Sequence, residues 1–428
     1  MIKFHPQHLE LHQEIHARPH PSIKSPCSIS HIAYFHADKS VEDEYSALNE
    51  LAGKFQVNGV TQSSNSYFQD FGLFELRWEN HREFSTITII RPISGEHSGE
   101  KAIDVFPNDW LEQFPGEAIS ACHVFISQIS SNISSTKSVK DKVTSLLGGS
   151  SKVACHITNW QASLWSSLQL DKDGFNQFVI DSQSESPTQV GRLLLMLLEI
   201  ETYRQMALMA LPVAKRIAPK ATELGQQCAK ILSKIAKIDN ASDESKLLQE
   251  LTDVAAEVER LRASSSYRFS ATRAYSELVN SRLDELNQEP IDGKDMLGEF
   301  LQRRFMPAIR TCASVSLQLE SLSKRLTRAS DLLRTRVDQT IAEQNQKLLE
   351  SMNHRSHMQL RLQQTVEGLS VAAISYYLIS LIKIVLHSFS EEFVHLNENL
   401  VLVIISPLVL LTIFIIVRNM KKHYVDDA

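Results

Sequence analysis

Leu400 to Val417 reads LVLVIISPLVLLTIFIIV, 18 residues without a charge. At 1.5 Å per residue such a helix spans ~27 Å, close to the hydrocarbon thickness of a bilayer. Pro407 in its middle is compatible with a membrane helix, because neighbouring groups can satisfy the carbonyl it frees. Just before it, Leu369 to Leu386 reads LSVAAISYYLISLIKIVL, with one charge, Lys383, near its end. A lysine there can extend its stem to the headgroups, so these residues predict a second span. Ser388 to Asn399, between the two, carries Glu391, Glu392 and Glu398 and no Lys or Arg. Arg355 and Arg361 precede the first span, and Arg418, Lys421 and Lys422 follow the second. The positive-inside rule therefore places both flanks in the cytoplasm and the acidic loop outside.

Everything before this tail is expected to be cytosolic. The opening stretch, MIKFHPQHLELHQEIHARPH, lacks the apolar run of a signal peptide. Five cysteines, Cys27, Cys122, Cys155, Cys228 and Cys312, are scattered without a C-x-x-C pair, which suits a reducing compartment better than a disulfide framework. The 428 residues carry 44 basic and 50 acidic side chains, a net charge of −6, so nucleic acid is not an expected partner.

Residues 1–186 read as a mixed α/β domain. Ser28–Phe35, Phe71–Trp78, Phe84–Ile90, Ala121–Ser127, Val153–Asn159 and Gln177–Ile180 are the candidate strands, and Ser40 with Glu42, Asp43 and Glu44 opens a helix to about Phe55. From Pro187 the pattern becomes helical. Val190 to Leu211 is apolar enough to resemble a span, but Glu199, Glu201 and Arg204 in its middle mark it as a core helix. Arg204 is expected to pair with Glu201, three residues away. Pro212 and Pro219 are expected to break or kink the run before helices over Lys220–Ile238, Glu244–Arg262 and Ala271–Leu286. Ala308 to Glu367 has neither Gly nor Pro, 60 residues that measure ~90 Å as one helix. Its apolar positions, Val315, Leu319, Leu322, Leu326, Ala329, Leu333, Val337, Ile341, Leu348 and Met352, form a seam needing partners, either in an antiparallel bundle or in a coiled coil with a stutter. Between Leu301 and Arg361 eleven basic side chains face five acidic ones, suiting an acidic partner surface, anionic headgroups near Arg355 and Arg361, or plain solvent.

The fold class expected is thus an α+β cytosolic domain (1–186), a helical bundle with a long stalk helix (187–367), two transmembrane helices forming a hairpin (368–418) and a short cytoplasmic tail (419–428). The partners expected are the lipid bilayer and further copies of the chain, which Ser370, Ala372, Ala373 and Ser375 would let approach closely.

Candidate chemistry is sparse. His8, His12 and His16 recur every four residues, which stacks them on one helical face, where they could bind a divalent metal or serve as surface or structural histidines that bind none. Gly148-Gly149-Ser150-Ser151-Lys152 fits no phosphate-binding pattern and reads as a turn. Cys122-His123 and Cys155-His156 are neighbours on strands, so each pair points to opposite faces and cannot work as nucleophile and base.

Several stretches carry a resemblance: Glu14, His16, Ala17, Arg18 and Pro19; LLEIETYR at Leu197–Arg204, with Glu199 and Arg204; LLRTRV at Leu332–Val337; and TVEGLSVAAISYY at Thr365–Tyr377, with Glu367 and Gly368. Together they resemble a bacterial family of membrane-anchored proteins known as a domain of unknown function. The resemblance implies attachment to the bacterial inner membrane and no particular reaction. The layout is also similar to that of CorA-type magnesium channels, an analogy of architecture alone. Those channels carry Gly-Met-Asn after the first span, where this chain has LHSFSEEF at Leu386–Phe393. The leading expectation is a non-enzymatic scaffold or interaction protein that self-associates at the inner membrane. The alternatives are a CorA-like ion-conducting oligomer and a metal-dependent enzyme using the N-terminal histidines.

Overall fold

The computed structural model describes residues 4–9, 21–36, 40–62, 64–93, 99–127, 136–149, 151–184, 186–235, 241–291, 293–390 and 398–426. Strands β1 (Cys27–Phe35), β2 (Ser66–Asp70), β3 (Glu75–Asn80), β4 (Phe84–Pro92), β5 (Glu117–Ser127), β6 (Val153–Ile157), β7 (Ala162–Ser166), β8 (Asn176–Ser182) and β9 (Gln288–Pro290) form one sheet in the order β2-β3-β4-β1-β5-β8-β7-β6-β9. The helices are α1 (Val41–Phe55), α2 (Asn108–Gln113), α3 (Thr136–Leu146), α4 (Pro187–Leu208), α5 (Ala210–Ile235), α6 (Ala241–Glu285), α7 (Leu297–Arg304), α8 (Met306–Ser390) and α9 (Glu398–Asp426). The chain divides into two compact units, 1–238 with 246–330, and 239–245 with 331–428.

In the first unit the sheet is covered on both faces, which is why its central strands are apolar throughout. β1 is buried at eight successive positions, from Cys27 to Tyr34. It lies antiparallel to β4 and to β5, pairing His31 with Thr88 on one side and with Cys122 on the other. Among the described pairs, β5 with β8 is the parallel one. One face packs Leu48 and Leu51 of α1 against Leu76, Trp78, Ile87 and Ile89. The other packs Leu193, Leu194 and Leu197 of α4 against Ile29, Cys122, Val124, Phe178 and Ile180. Each such fully buried side chain contributes about 2 kcal/mol of apolar transfer.

A buried carboxylate ties the first face together. Glu44 of α1 accepts hydrogen bonds from Trp78 Nε1 at 2.7 Å and Ser85 Oγ at 3.0 Å, and lies 3.0 Å from His36 Nδ1. The bond to Glu44 raises the His36 pKa.

Several expected elements need revision. Phe71–Trp78 is not one strand: Phe71 to Phe74 makes the turn between β2 and β3, closed by the Phe71 N–H donating to the Phe74 carbonyl at 2.8 Å. Pro219 does not break its helix, for α5 runs through it, and the interruption falls at Met209. Glu244–Arg262 and Ala271–Leu286 are parts of the single helix α6, since nothing between them is a breaker. The seam on α8 is buried at Val315, Leu319, Leu322, Leu326, Ala329 and Leu333, but Ile341, Leu348 and Met352 are half or more exposed in the single chain.

In the second unit, Arg336 Nε lies 3.9 Å from Glu244 Oε1, and Thr340 Oγ1 donates to Glu244 Oε2 at 3.3 Å. One helical run, Leu297–Val385, contains an 18-residue window of mean hydropathy 1.8, long and apolar enough to cross a membrane and 6% buried. A shorter apolar stretch, Leu402–Ile416, lies in α9. Residues 391–397, where the external loop was expected, are outside the described residues.

Candidate functional site: a cavity between the sheet and a core helix

Strand periodicity puts Leu76 and Trp78 on the α1 side of β3, so Arg77 and Glu79 point to the opposite face. On β4 the same alternation sends Ile87 and Ile89 one way and Phe84, Thr86, Thr88 and Ile90 the other. Over β1, β5 and β8 that second face is apolar and α4 closes on it. Toward β3 and β4 the polar side chains hold α4 off, and a cavity of about 180 Å³ remains. Leu194, Leu195, Leu198 and Tyr203 of α4 supply its apolar wall, with Pro21 at one side.

His31 bridges sheet and helix at this cavity. Its Nδ1 hydrogen-bonds with Thr88 Oγ1 at 2.8 Å and its Nε2 with Thr202 Oγ1 at 3.0 Å. Burial pushes its pKa down to about 4, so the ring is neutral at pH 7. Arg77 is also buried. Its guanidinium lies 4.0 Å from the Phe68 ring centre and 3.5 Å from Glu75, and burial lowers its pKa. Glu79 stands 4.0 Å from His81 Nε2, and the His81 ring stacks on Phe84 at 4.4 Å.

The rim is held by longer-range pairs. Glu199 lines the cavity and accepts from Arg282 Nε of α6 at 2.5 Å. Behind Phe84, Glu83 accepts from Arg268 at 2.5 Å and from the Tyr275 hydroxyl at 2.8 Å, while Tyr275 stacks on Tyr203 at 5.6 Å. The Pro21 segment is pressed onto α4 at Gly191. A Cβ there would lie 1.7 Å from the Pro21 carbonyl oxygen, so only glycine permits the approach.

A second polar cluster has no cavity. His123, fully buried on β5, hydrogen-bonds with Ser30 Oγ at 2.9 Å, stacks on Phe175 at 4.2 Å and lies 4.0 Å from Asp171. Lys101 bridges Asp171 at 2.7 Å and Asp173 at 3.1 Å. Burial, then the Lys101 charge, pushes the His123 pKa down to about 4. Burial opposes the Asp171 charge, but Lys101 and the Phe175 and Asp173 amides outweigh it and hold its pKa at about 2. With serine and imidazole sealed from solvent, the cluster locks the Asp171–Phe175 turn and offers no access to a substrate.

The residues singled out from sequence scatter. His12, His16, Glu14, Arg18 and Pro19 lie outside the described residues, and His8 is exposed with its ring stacked on Phe4. Among the described residues no three His, Cys, Asp or Glu side chains gather as metal ligands. Glu201 and Arg204 pair at 2.5 Å, whereas Glu199 reaches Arg282 instead. Cys122 faces α4 and His123 the other side; Cys155 is buried and His156 exposed, its Nδ1 2.8 Å from Ser163 Oγ. Gly148 and Gly149 cap α3, with Gly148 at φ +62°. Glu367, Gly368, Arg355, Arg361 and Lys383 lie on α8. Arg418, Lys421 and Lys422 lie on α9.

His31, Arg77, Glu79, His81, Thr86 and Thr88 were not singled out from sequence. The available signal is polar alternation on both strands, E-L-R-W-E and F-S-T-I-T-I, which reads as a solvated face until a helix covers it.

The molecule so described is a two-unit α/β and long-helix protein with a largely apolar, partly polar cavity beneath a core helix. It belongs to the DUF3422 family, proteins of unknown function, whose family model matches residues 3–424. No curated protein and no solved structure matches the chain.

Proposed function

We propose that this is a membrane-anchored, self-associating, non-enzymatic protein of the bacterial inner membrane, with two spans at its C-terminal end and the sheet-containing unit in the cytosol. The observation that carries this is the exposed apolar surface of α8. Leu369, Ile374, Tyr376, Tyr377, Leu381 and Ile384 are each more than half exposed, far too much contiguous apolar area for water. Val403, Ile404, Leu408, Leu411 and Phe414 of α9 support a second span in the same way. Acyl chains are the solvent such surfaces fit.

Self-association rests on the part of α8 before the span. Ile341, Leu348, Met352, Leu362 and Val366, all half or more exposed, recur in steps of four, seven and ten, as two rows of a coiled-coil seam do. Asn345, Arg355 and Gln359 share those rows, which would weaken the seam and fix its register. A second copy of the same helix covers this stripe.

The test is fractionation followed by mass. Full-length protein should stay with membranes through an alkaline carbonate wash, come off in detergent, and run as a dimer that Leu348→Lys with Leu362→Lys converts to monomers without releasing the chain from the membrane. Recovery in the aqueous supernatant, or a front-end tag reachable from outside intact cells, overturns the anchoring. A monomeric wild type overturns self-association, and a ring of four or more copies favours an ion-conducting oligomer instead.

A further inference from the structure

We propose that the cavity beneath α4 binds a small neutral molecule: a single hydrocarbon ring carrying a hydroxyl group, of the class of simple phenols. This inference rests on the cavity alone and stands or falls apart from the membrane reading.

Charge is the first filter. Each ionic side chain in the lining already has a partner within the protein: Glu199 accepts from Arg282 Nε at 2.5 Å, Arg77 faces Glu75 and the Phe68 ring, and Glu79 stands beside His81. A carboxylate or ammonium entering here would shed its water and meet no waiting counter-charge, a penalty that a neutral molecule avoids. Most of the remaining wall is hydrocarbon, supplied by Ile90, Leu194, Leu195 and Leu198.

Hydroxyl groups are what the wall leaves unsatisfied. His31 holds Thr88 Oγ1 on one ring nitrogen at 2.8 Å and Thr202 Oγ1 on the other at 3.0 Å. An imidazole carries at least one N–H, so at least one of these hydroxyls accepts from the ring and keeps its own hydrogen to donate. Both threonines line the cavity, and neither side chain makes another hydrogen bond among the described residues. Thr86, two residues before Thr88 on the same face of β4, adds a third hydroxyl, buried and with no side-chain partner among the described residues. The polar side of the cavity is thus a patch of O–H groups with more hydrogens than acceptors. An oxygen that both accepts and donates, as that of a phenol does, completes it.

Size and entry fit the same class. An engineered 150 Å³ apolar cavity holds benzene, so about 180 Å³ holds such a ring with one or two small substituents. Glu79, His81, Leu195 and Glu199 are partly exposed whereas Thr86, Thr88 and Thr202 are buried, which puts the mouth between the β3–β4 hairpin and α4 and the hydroxyls at the inner end. A rigid ring has little conformational freedom to lose on entering.

The experiment is calorimetric titration of the full chain in detergent with p-cresol as probe, beside toluene, which lacks the hydroxyl, and 4-methylbenzoate and 4-methylbenzylamine, which carry a charge in its place. The same titrations on Leu198→Phe, which fills the apolar part, report uptake by the micelles alone. Wild type should take up p-cresol saturably at one site per chain, toluene about fivefold more weakly, the worth of one net hydrogen bond, and the two ions at least about tenfold more weakly. Leu198→Phe should abolish the saturable uptake. Thr86→Val, which keeps the side-chain shape and removes a hydroxyl without a protein partner, should weaken p-cresol several-fold and leave toluene no weaker, and circular dichroism shows whether each variant is folded. Absence of saturable p-cresol uptake by wild type overturns the proposal. So does an affinity for toluene or either ion that equals that for p-cresol, p-cresol binding that survives Leu198→Phe in folded protein, or an unchanged p-cresol affinity in Thr86→Val.

Discussion

Substituting His31 by glutamine should change how the stability of the sheet unit depends on pH. His31 has a folded pKa of about 4, against 6.5 for an unhindered imidazole. A depressed histidine is neutral in the folded chain and takes up a proton on unfolding once the pH is below 6.5. Its stabilising contribution is therefore complete above pH 6.5 and is lost as the pH falls toward 4. Integrating the linkage relation from pH 7 to pH 5 with those two values gives a loss of about 2 kcal/mol from this residue. His31→Gln removes the titration along with the two hydroxyl bonds, which cost about 2 to 3 kcal/mol at pH 7. The gap between wild type and variant should accordingly shrink to about 1 kcal/mol or less at pH 5. His36 works in the opposite sense, because Glu44 raises its pKa and its contribution fades as the pH rises, but it is common to both proteins and cancels. Urea unfolding followed by tryptophan fluorescence reads the right unit, since Trp78, Trp110, Trp160 and Trp165 all belong to it. A gap that stays constant between pH 7 and pH 5 would show that His31 is not held neutral between the two threonines.

Gly191→Ala should destabilise the same unit by about 2 kcal/mol in urea titrations despite the helix propensity it gains, because its methyl group displaces Pro21 and with it the buried Ile23 and its 2.9 Å bond to the Pro187 carbonyl. Glu44→Gln should cost about 1 to 3 kcal/mol by the same measurement and lower the His36 pKa, read by NMR titration of its ring proton, as the carboxylate that raises it is gone. Leu326→Ala, at a buried seam position, should cost about 2 to 5 kcal/mol, whereas Leu348→Ala should leave the stability of a monomer within about 0.5 kcal/mol; thermal melts monitored by circular dichroism separate the two.

The elements legible in the sequence were those whose local signal is undiluted. β4 is a long β-branched run and β1 a nine-residue stretch with Ile29, Ile32, Tyr34 and Phe35, α4 announces itself by Pro187 and the six apolar residues Leu193–Leu198, and the Glu201–Arg204 pair follows from three-residue spacing. β7, ASLWS, and β2, SYFQD, are five residues each with serines, too short to rise above the background. β9 is three residues ending in proline, and it is a strand only because β6 presents an edge to it. Arg77 and Glu79 failed for a different reason. Charges alternating on a strand look solvent-facing, and their burial depends on α4, which lies more than a hundred residues further along and carries no local mark of where it docks.

The lateness of β9 has a consequence for how the chain emerges from the ribosome. Cys155 of β6 and Gln288 of β9 touch across 133 residues of sequence, with three helices made in between. At ~5 to 20 residues per second, β6 waits on the order of ten seconds or more for the strand that covers its flank. Through that interval a nascent chain carries an open, hydrogen-bond-hungry border, the kind of surface that trigger-type chaperones shelter and that neighbouring nascent copies on a polysome could join by mistake.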